Sequence, residues 1–172
     1  HSAARNYLTG RILGDWLCMF DTDHSFEPDI LARLVNFMNI HELDVITAKY
    51  RYKSPPYAPV LYKRNEEDAL EVIVGWDKNL SLVEIDSAGA GCLLVKKSVY
   101  IRIRQELGEE PFSIIHPYSE DHSFFMRLRK LGIPAWAAPN IDCYHLKTTE
   151  VTDSDYKQPQ GVLKEYQVQG VI

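Results

Sequence analysis

Residues 15–24, DWLCMFDTDH, place a short apolar run directly before two aspartates that one residue separates. The apolar residues from Trp16 to Phe20, closed by polar ones, predict a buried strand of a parallel sheet. Open α/β sheets place their ligands just beyond the C-terminal ends of such strands. The carboxylates of Asp21 and Asp23 can converge there on one hard divalent cation. The stretch therefore predicts a metal site for a phosphorylated ligand.

The composition is that of a single globular domain. The chain has 172 residues, of which 45% are hydrophobic, and a formal net charge of -5. This acidic balance argues against the basic surface that usually binds nucleic acid. No apolar run reaches the length of a membrane span, and no signal peptide is visible. Cys18 and Cys92 lie in apolar runs and are predicted to be buried thiols, which favours a reduced, cytoplasmic setting and leaves peripheral attachment to a membrane open.

Helical and strand patterns alternate along the chain and indicate an α/β fold. The first strand, the next helix and the strand after it imply a right-handed parallel crossover. Helices are predicted over 3–13, from a start at 25–29 to about 40, over 97–107 and from 119 to 131. Strands are predicted over 16–20, 44–48, 60–62, 70–74, 83–86 and 133–137, and residues 87–95 are predicted to be a small-residue loop that leads into a buried strand.

The candidate chemical residues each have a structural alternative. Asp21 and Asp23 could instead cap a helix or lie in a solvated turn. Asp121 follows Glu120 in the first turn of a helix, where acids stabilise the helix dipole; its alternative role is that of a general base. His145 follows an apolar strand and is either a packed or surface histidine or a third ligand beside the carboxylates.

Two further segments are less specific. Residues 49–59 are aromatic, basic and proline-rich, and they form either an edge strand with a loop or a rim that binds an acceptor. Gly89 and Gly91 flank Ala90 and would let the backbone approach a ligand closely, although a lone Gly-x-Gly is weak evidence. No role is predicted for His24, His116 or His122.

The order of these features is more specific than any one of them. Along residues 3–146 it resembles the GT-A-fold glycosyltransferases of the large family 2 type. The features that carry the resemblance are Ala4-Arg5-Asn6, Gly14-Asp15-Trp16 with Asp21-Thr22-Asp23, the small-residue loop from Ala88 to Leu94, Glu120-Asp121 with Arg127 and Gly132, and His145. The resemblance implies an α/β fold with a GT-A, Rossmann-like mixed sheet flanked by helices. It also implies a catalytic domain over residues 1–146 and a C-terminal tail or flexible loop over residues 147–172.

The resemblance also implies site residues. Asp23 would coordinate Mn²⁺ or Mg²⁺ on the donor diphosphate, and Asp21 would face the donor ribose or sugar. Asp21, Asp23 and His145 together would be the metal ligands. Asp121 would be the catalytic base of an inverting enzyme. Arg5 would lie near the donor's nucleotide or phosphates, and Gly89, Ala90 and Gly91 would border the donor sugar and the acceptor.

The function that the resemblance implies is a metal-dependent, hexosyltransferase-type transfer of sugar from a UDP- or GDP-sugar to a saccharide or other hydroxyl acceptor. The alternatives are a non-catalytic domain that binds nucleotide sugars and a nucleotidyltransferase. Family members normally begin with a strand and an acidic loop that bind the nucleotide base. This chain shows no such stretch before Arg5, so we expect the domain to be incomplete at its N-terminus.

Overall fold

A computed structural model describes residues 1–77 and 79–146 of the chain. The predicted tail over residues 147–172 lies outside the described residues. The elements are α1 (Ser2–Thr9), β1 (Trp16–Phe20), β2 (His24–Phe26), α2 (Ile30–Ile40), β3 (Val45–Lys49), β4 (Leu61–Arg64), β5 (Leu70–Val72), β6 (Val83–Ile85), β7 (Ser87–Ala88), β8 (Cys92–Lys96), α3 (Lys97–Leu107), α4 (Glu120–Lys130) and β9 (Ala135–His145).

The main sheet is mixed and has six strands in the order β1-β8-β3-β9-β2, with β6 pairing to β9 beside this path. Strand β8 runs antiparallel to both β1 and β3, whereas β3 and β9 are parallel. The long strand β9 pairs with β6 near its start and with β2 at its end. A second, antiparallel sheet has the order β5-β4-β7.

The main sheet separates two apolar clusters, because side chains alternate between its faces. On β8, Leu93 and Val95 point to one cluster, while Cys92 and Leu94 point to the other. The first cluster includes residues of α3 and α4, and the second includes residues of α2. Helices therefore cover both faces of the sheet. The fold is the α/β, GT-A-type mixed sheet that the sequence predicts.

Helices α3 and α4 confirm their predictions closely. Helix α3 covers Lys97–Leu107 and is followed by Gly108 in the left-handed region, with a φ of 66°. Helix α4 begins after its N-cap Ser119, and Gly132 just beyond it also has a positive φ, 64°. Glycine adopts this conformation without a steric penalty, so it marks these helix ends reliably.

The surroundings of β1 differ from the prediction. Its bounds are those predicted, but it lies at the edge of the main sheet, and Met19 is its only buried residue. It pairs only with β8, antiparallel, so the parallel strands β1 and β3 are not adjacent. The apolar run over residues 16–20 therefore predicts the strand correctly but overstates its burial.

Three boundaries differ most from the prediction. Helix α1 ends at Thr9, with Gly10 as its C-cap, and Leu13 beyond it is fully exposed. Strand β2 occupies part of the predicted helix start, and α2 begins only at Ile30. The strand predicted over 133–137 continues as β9 to His145. In each case pairing across the sheet or the position of a glycine overrides the apolar spacing.

The cysteines are free thiols in the described part of the chain. Cys92 and Cys143 are buried, whereas Cys18, predicted to be buried, is only half-buried because it lies on the edge strand β1. Among residues 1–77 and 79–146 we find no helix with the length and apolar character that crossing a bilayer requires.

Candidate functional site

The turn that follows β1 is fixed by backbone hydrogen bonds on both sides. The amide of Asp21 donates to the carbonyl of Gly91 at 3.0 Å, and the amide of His24 donates back to Asp21 at 3.2 Å. The amide of Leu146 donates to the carbonyl of Asp23 at 2.8 Å. The turn is thus held between the small-residue loop and the end of β9.

Strand β2 brings two histidines together with Asp23. In the β2–β9 pair, His24 lies directly opposite His145. Their rings stack with centroids 4.1 Å apart. Asp23 Oδ1 lies 3.1 Å from His24 Nδ1 and 3.9 Å from His145 Nε2. One ligand atom from each of these residues lies within 4.8 Å of the others, which is close enough for one ion to contact all three.

His145 is oriented for coordination by its second ring nitrogen. Its Nδ1 lies 2.7 Å from the carbonyl oxygen of Arg51, to which only an N–H can donate. This bond places a proton on Nδ1, so in the neutral ring the lone pair is on Nε2, which lies 3.9 Å from Asp23 Oδ1. Histidine ligands of metals are commonly held by such a bond to a backbone carbonyl. The side chain of His145 is 20% exposed.

His24 forms the buried wall of the site. Its side chain is 0% exposed, and its ring packs edge-on against Tyr50 at a centroid distance of 4.7 Å. Burial lowers the pKa of His24 below its usual value. The neutral ring is therefore favoured near pH 7. Its Nε2 is buried with no hydrogen-bond partner among the described residues.

The small-residue loop packs behind this wall. A Cβ atom at Gly91 would lie 2.9 Å from His24 Nε2, and one at Gly89 would lie 1.8 Å from Tyr50 Oη. The amide of Gly91 also donates to Tyr50 Oη at 3.3 Å. These glycines, and Ala90 between them, are buried. The glycines thus admit the two aromatic rings that shape the site, and contact of this loop with a donor sugar stays a prediction.

Lys53 supplies the positive charge that faces the open side of Asp23. Its Nζ donates to Asp23 Oδ2 at 2.5 Å. This hydrogen bond holds the pKa of Asp23 below its usual value, and the positive charge of Lys53 adds to the lowering. The Asp23 side chain is 46% exposed and that of Lys53 is 43% exposed. Asp23 is thus ionised at neutral pH, and its protein partner lies in solvent.

Asp21 has a different partner. Its Oδ1 accepts from Arg5 Nη2 at 2.9 Å, and Arg5 Nη1 donates to Glu120 Oε1 at 2.7 Å. Only 11% of the Arg5 side chain is exposed. The arginine therefore connects α1, the turn after β1 and the first residue of α4. Asp21 is not one of the three clustered ligand residues, and neither its role as a ligand nor contact of Arg5 with a donor is tested by this geometry.

Asp121 lies in the first turn of α4, next to Glu120. The hydroxyl of Ser119 and the amide of His122, the latter at 2.9 Å, both donate to Asp121 Oδ1. Burial raises the pKa of Tyr50, and the carboxylates of Asp121 and Asp21 add to the rise. Both carboxylates therefore act on the same tyrosine that packs against His24.

The ligand set suits a transition-metal ion. One carboxylate oxygen and two imidazole nitrogens match Mn²⁺ and its neighbours better than Mg²⁺, which prefers oxygen ligands. Asp23 and His145 are in the predicted set, whereas His24 was missed. His24 lies opposite His145 because it belongs to strand β2. A strand of three residues is too short to give a periodic sequence pattern, so the sequence carries no signal for it.

Comparison with known proteins supports the same family. The family model described as "Glycosyl transferase family 2" matches residues 1–87, half of the 172 residues. No curated protein matches the chain. The solved structure titled "Crystal Structure of A197 from STIV" is similar, with a TM-score of 0.54 and 19% sequence identity over 86% of this chain. This chain spans 64% of that structure's length, and at such identity the similarity concerns the fold. On the family match, the chain belongs to glycosyltransferase family 2.

Proposed function

We propose that this chain takes part in metal-dependent transfer of a sugar from a nucleoside-diphosphate sugar, UDP- or GDP-linked, to a hydroxyl group of an acceptor. The observation that carries the proposal is the convergence of Asp23, His24 and His145 at the end of β1 and β9. Membership of family 2 supports the class of reaction, and the cluster supports our proposal that the reaction depends on a metal ion. Mn²⁺ is the ion that we expect from the resemblance, and the two imidazoles make the set better suited to a transition-metal ion than to Mg²⁺.

Three side chains would hold the ion. Asp23 would contribute a carboxylate oxygen, and His145 would contribute Nε2. His24 would contribute Nδ1 once the proton that this nitrogen donates to Asp23 has moved to Nε2. The chemistry that a bound divalent ion supplies here is neutralisation of the charge that develops on the departing diphosphate. Burial favours the neutral ring of His24, and only a neutral imidazole has a nitrogen that can bind a metal ion.

Asp121 is the base that we assign. Both hydrogen bonds from Ser119 and His122 fall on Oδ1, so they hold the carboxylate and leave Oδ2 for an acceptor hydroxyl. As the acceptor oxygen bonds to the anomeric carbon, the bond from that carbon to the diphosphate oxygen breaks and its electron pair leaves with the diphosphate. The acceptor proton passes to Asp121. A single displacement of this kind inverts the anomeric carbon.

The test screens UDP- and GDP-sugars for nucleoside diphosphate release with Mn²⁺ or Mg²⁺. We expect Asp121→Asn to retain donor binding but to lose transfer by roughly 10²- to 10⁴-fold, the usual contribution of a general base. Asp23→Ala should abolish metal-dependent donor binding. Asp44→Asn is the matched control, because Asp44 is also paired with a lysine and 41% exposed but lies outside the cluster.

Each alternative has its own result in this assay. Unchanged turnover in Asp121→Asn would remove Asp121 as the base, and unchanged metal dependence in Asp23→Ala would refute the metal assignment. Donor binding by the wild-type protein without any product would indicate a non-catalytic domain that binds nucleotide sugars. Release of pyrophosphate instead of nucleoside diphosphate would indicate a nucleotidyltransferase.

A further inference from the structure

A cavity with a volume of about 270 Å³ opens beside the metal-ligand cluster. It lies between the segment 50–57 and the end of β9, and we call it the tyrosine pocket because its walls include Tyr50, Tyr52, Tyr57 and Tyr144. His145 forms part of the same wall. The pocket and the cluster thus share one side chain. The cavity is smaller than the roughly 300–1,000 Å³ of pockets for drug-sized ligands, so it suits one small ring.

The walls of the pocket are aromatic and partly exposed. The exposed fraction is 43% for both Tyr52 and Tyr57 and 52% for Tyr144. Tyrosine offers an apolar ring face and a hydroxyl that donates or accepts hydrogen bonds. Charged groups of Lys53 and Asp142 lie at the same cavity. A pyranose ring needs this combination, because its C–H face packs on aromatic rings while its hydroxyl groups need polar partners.

The pocket is connected to the residue that we assign as the base. The hydroxyl of Tyr52 hydrogen-bonds to that of Tyr62. The ring of Tyr62 packs edge-on against His122 at 5.0 Å, and the amide of His122 holds Asp121. The pocket therefore shares His145 with the metal-ligand cluster, and a chain of contacts from Tyr52 through Tyr62 and His122 leads to Asp121. An acceptor must lie between these two groups to be deprotonated and to reach the donor.

Tyr57 is held in an unfavourable backbone conformation. Its φ is 54°, in the left-handed region that residues other than glycine rarely adopt. Its amide donates to Ser54 at 2.9 Å, and its carbonyl accepts from Arg51 Nη1 at 3.0 Å. Strain of this kind persists where the surrounding structure enforces it, and such residues cluster at ligand sites. The residue that is held in this conformation, Tyr57, is one whose side chain lines the pocket.

We propose that the tyrosine pocket binds one pyranose unit of a saccharide acceptor, with Tyr57 and Tyr144 as the ring platforms. This proposal rests on the proposed function for its assignment to the acceptor, whereas the binding of a saccharide does not. Of the two interpretations of residues 49–59, the proposal favours the rim that binds an acceptor, and it assigns this role to named residues. Lys53, which is paired with Asp23, and Asp142, which is paired with Lys49, are the charged residues nearest to the hydroxyl groups of the sugar.

The first test measures saccharide binding to the full chain by saturation-transfer NMR. The probes are the methyl glycosides of glucose, galactose, mannose and N-acetylglucosamine. We expect at least one to bind, and its affinity to fall at least tenfold in Tyr57→Ala and in Tyr144→Ala. Tyr7→Ala and Tyr118→Ala are the controls, since these tyrosines are 58% and 37% exposed but lie elsewhere. Tyr144→Phe keeps the ring and should retain most of the affinity.

Three results would overturn the saccharide site. They are binding of none of the four glycosides, unchanged affinity in the two pocket variants, and an equal loss in the control variants. Tyr144→Phe keeps the test decisive if an alanine variant is poorly folded, because loss of binding in a folded phenylalanine variant would exclude ring packing as the source of affinity.

The second test separates an acceptor from a donor sugar. Binding of UDP- and GDP-sugars with Mn²⁺ is measured on the same variants, and we expect it to be unchanged. If glycoside and nucleotide-sugar binding fall together, the pocket holds the donor sugar and the acceptor assignment is wrong. If the wild-type chain binds a glycoside but no nucleotide sugar, the proposed function fails while the saccharide site stands.

Discussion

Asp21 and Asp23 are separated by one residue, and their side chains are exposed to nearly the same extent, 40% and 46%. Their partners differ. Asp21 is paired with Arg5, which is 11% exposed and also bonded to Glu120, whereas Asp23 is paired with Lys53, which is 43% exposed. If the buried Arg5 moved away, two carboxylates would be left without a partner, which is costly. The solvated Lys53 can move into water at little cost. The partner, and not the motif, decides which carboxylate is available to a metal ion.

The largest effect that we expect from this comparison is on stability. Arg5→Met would leave the carboxylates of Asp21 and Glu120 without their common partner. Breaking a fully buried pair costs about 3–5 kcal/mol, and the partial exposure of Asp21 reduces our expectation to about 2–4 kcal/mol of unfolding free energy. Urea denaturation measures this value. Asp23→Ala, which removes an exposed pair, should change it by less than about 1 kcal/mol.

Arg11→Met is the matched control for this experiment. Arg11 is exposed and lies just beyond α1, where its guanidinium is 3.6 Å from the ring centroid of Tyr7. Loss of that contact should cost at most about 1 kcal/mol. If Arg5→Met were no more destabilising than this control, the two hydrogen bonds of Arg5 would not hold α1, the turn and α4 together.

The difference between the two carboxylates could not be predicted from the sequence. Local signals were sufficient where the cause is local. Gly108 ends α3 because glycine adopts the left-handed conformation without a steric penalty, and Ser119 precedes α4 with its hydroxyl bonded to Asp121 in the first turn. The partners of Arg5 lie on two other segments of the chain, one of them far along the sequence. The interpretation of Arg5 as a donor contact followed from the resemblance, which carries no information on such pairing.

The fold class could be predicted because apolar periodicity records which faces are buried. The pairing of the strands was harder to predict from the sequence than the fold class. Strand β1 has an apolar sequence but lies at the sheet edge, and β2 has two exposed residues of three, so neither burial nor partner follows from its pattern. His24 was missed for that reason. Its role depends on the register that places it opposite His145, which only the assembled sheet defines.

An intermediate effect is expected from pH, through His24. Burial lowers its pKa from the ordinary 6.5, so below that pH the unfolded chain takes up a proton that the folded chain does not. Stability should therefore fall as the pH decreases from about 6.5 toward the lower pKa of the folded state. The slope for one proton is at most about 1.4 kcal/mol per pH unit. Denaturation of the metal-free chain at a series of pH values measures it.

His24→Gln should flatten this dependence, whereas His41→Gln, at an exposed position, should preserve it. The comparison between the variants is more informative than the stability of either, because glutamine at a buried position lowers stability at every pH. An identical slope in the wild-type protein and in His24→Gln would show that the buried ring does not cause the acid sensitivity of this site.

The smallest effect is expected from Lys53→Met, on the affinity for Mn²⁺. Whether this affinity rises or falls is the sharpest test of the comparison between Asp21 and Asp23. If Lys53 is only the replaceable partner of Asp23, its ammonium group competes with a metal ion for the same carboxylate. An exposed pair of this kind contributes about 0.2–1 kcal/mol, so Lys53→Met should strengthen Mn²⁺ binding by roughly 1.4- to 5-fold in calorimetry. Added salt should reduce the difference, because it screens exposed charges.

Lys63→Met is the control for Lys53→Met, since Lys63 is 47% exposed and pairs with Glu84 away from the cluster. It should leave the affinity for Mn²⁺ unchanged. Weaker Mn²⁺ binding in Lys53→Met would contradict competition and would mean that the lysine positions Asp23 as Arg5 positions Asp21. Tighter binding would confirm that the two carboxylates differ in kind: one is neutralised by the protein itself, and the other keeps a partner that an ion can displace.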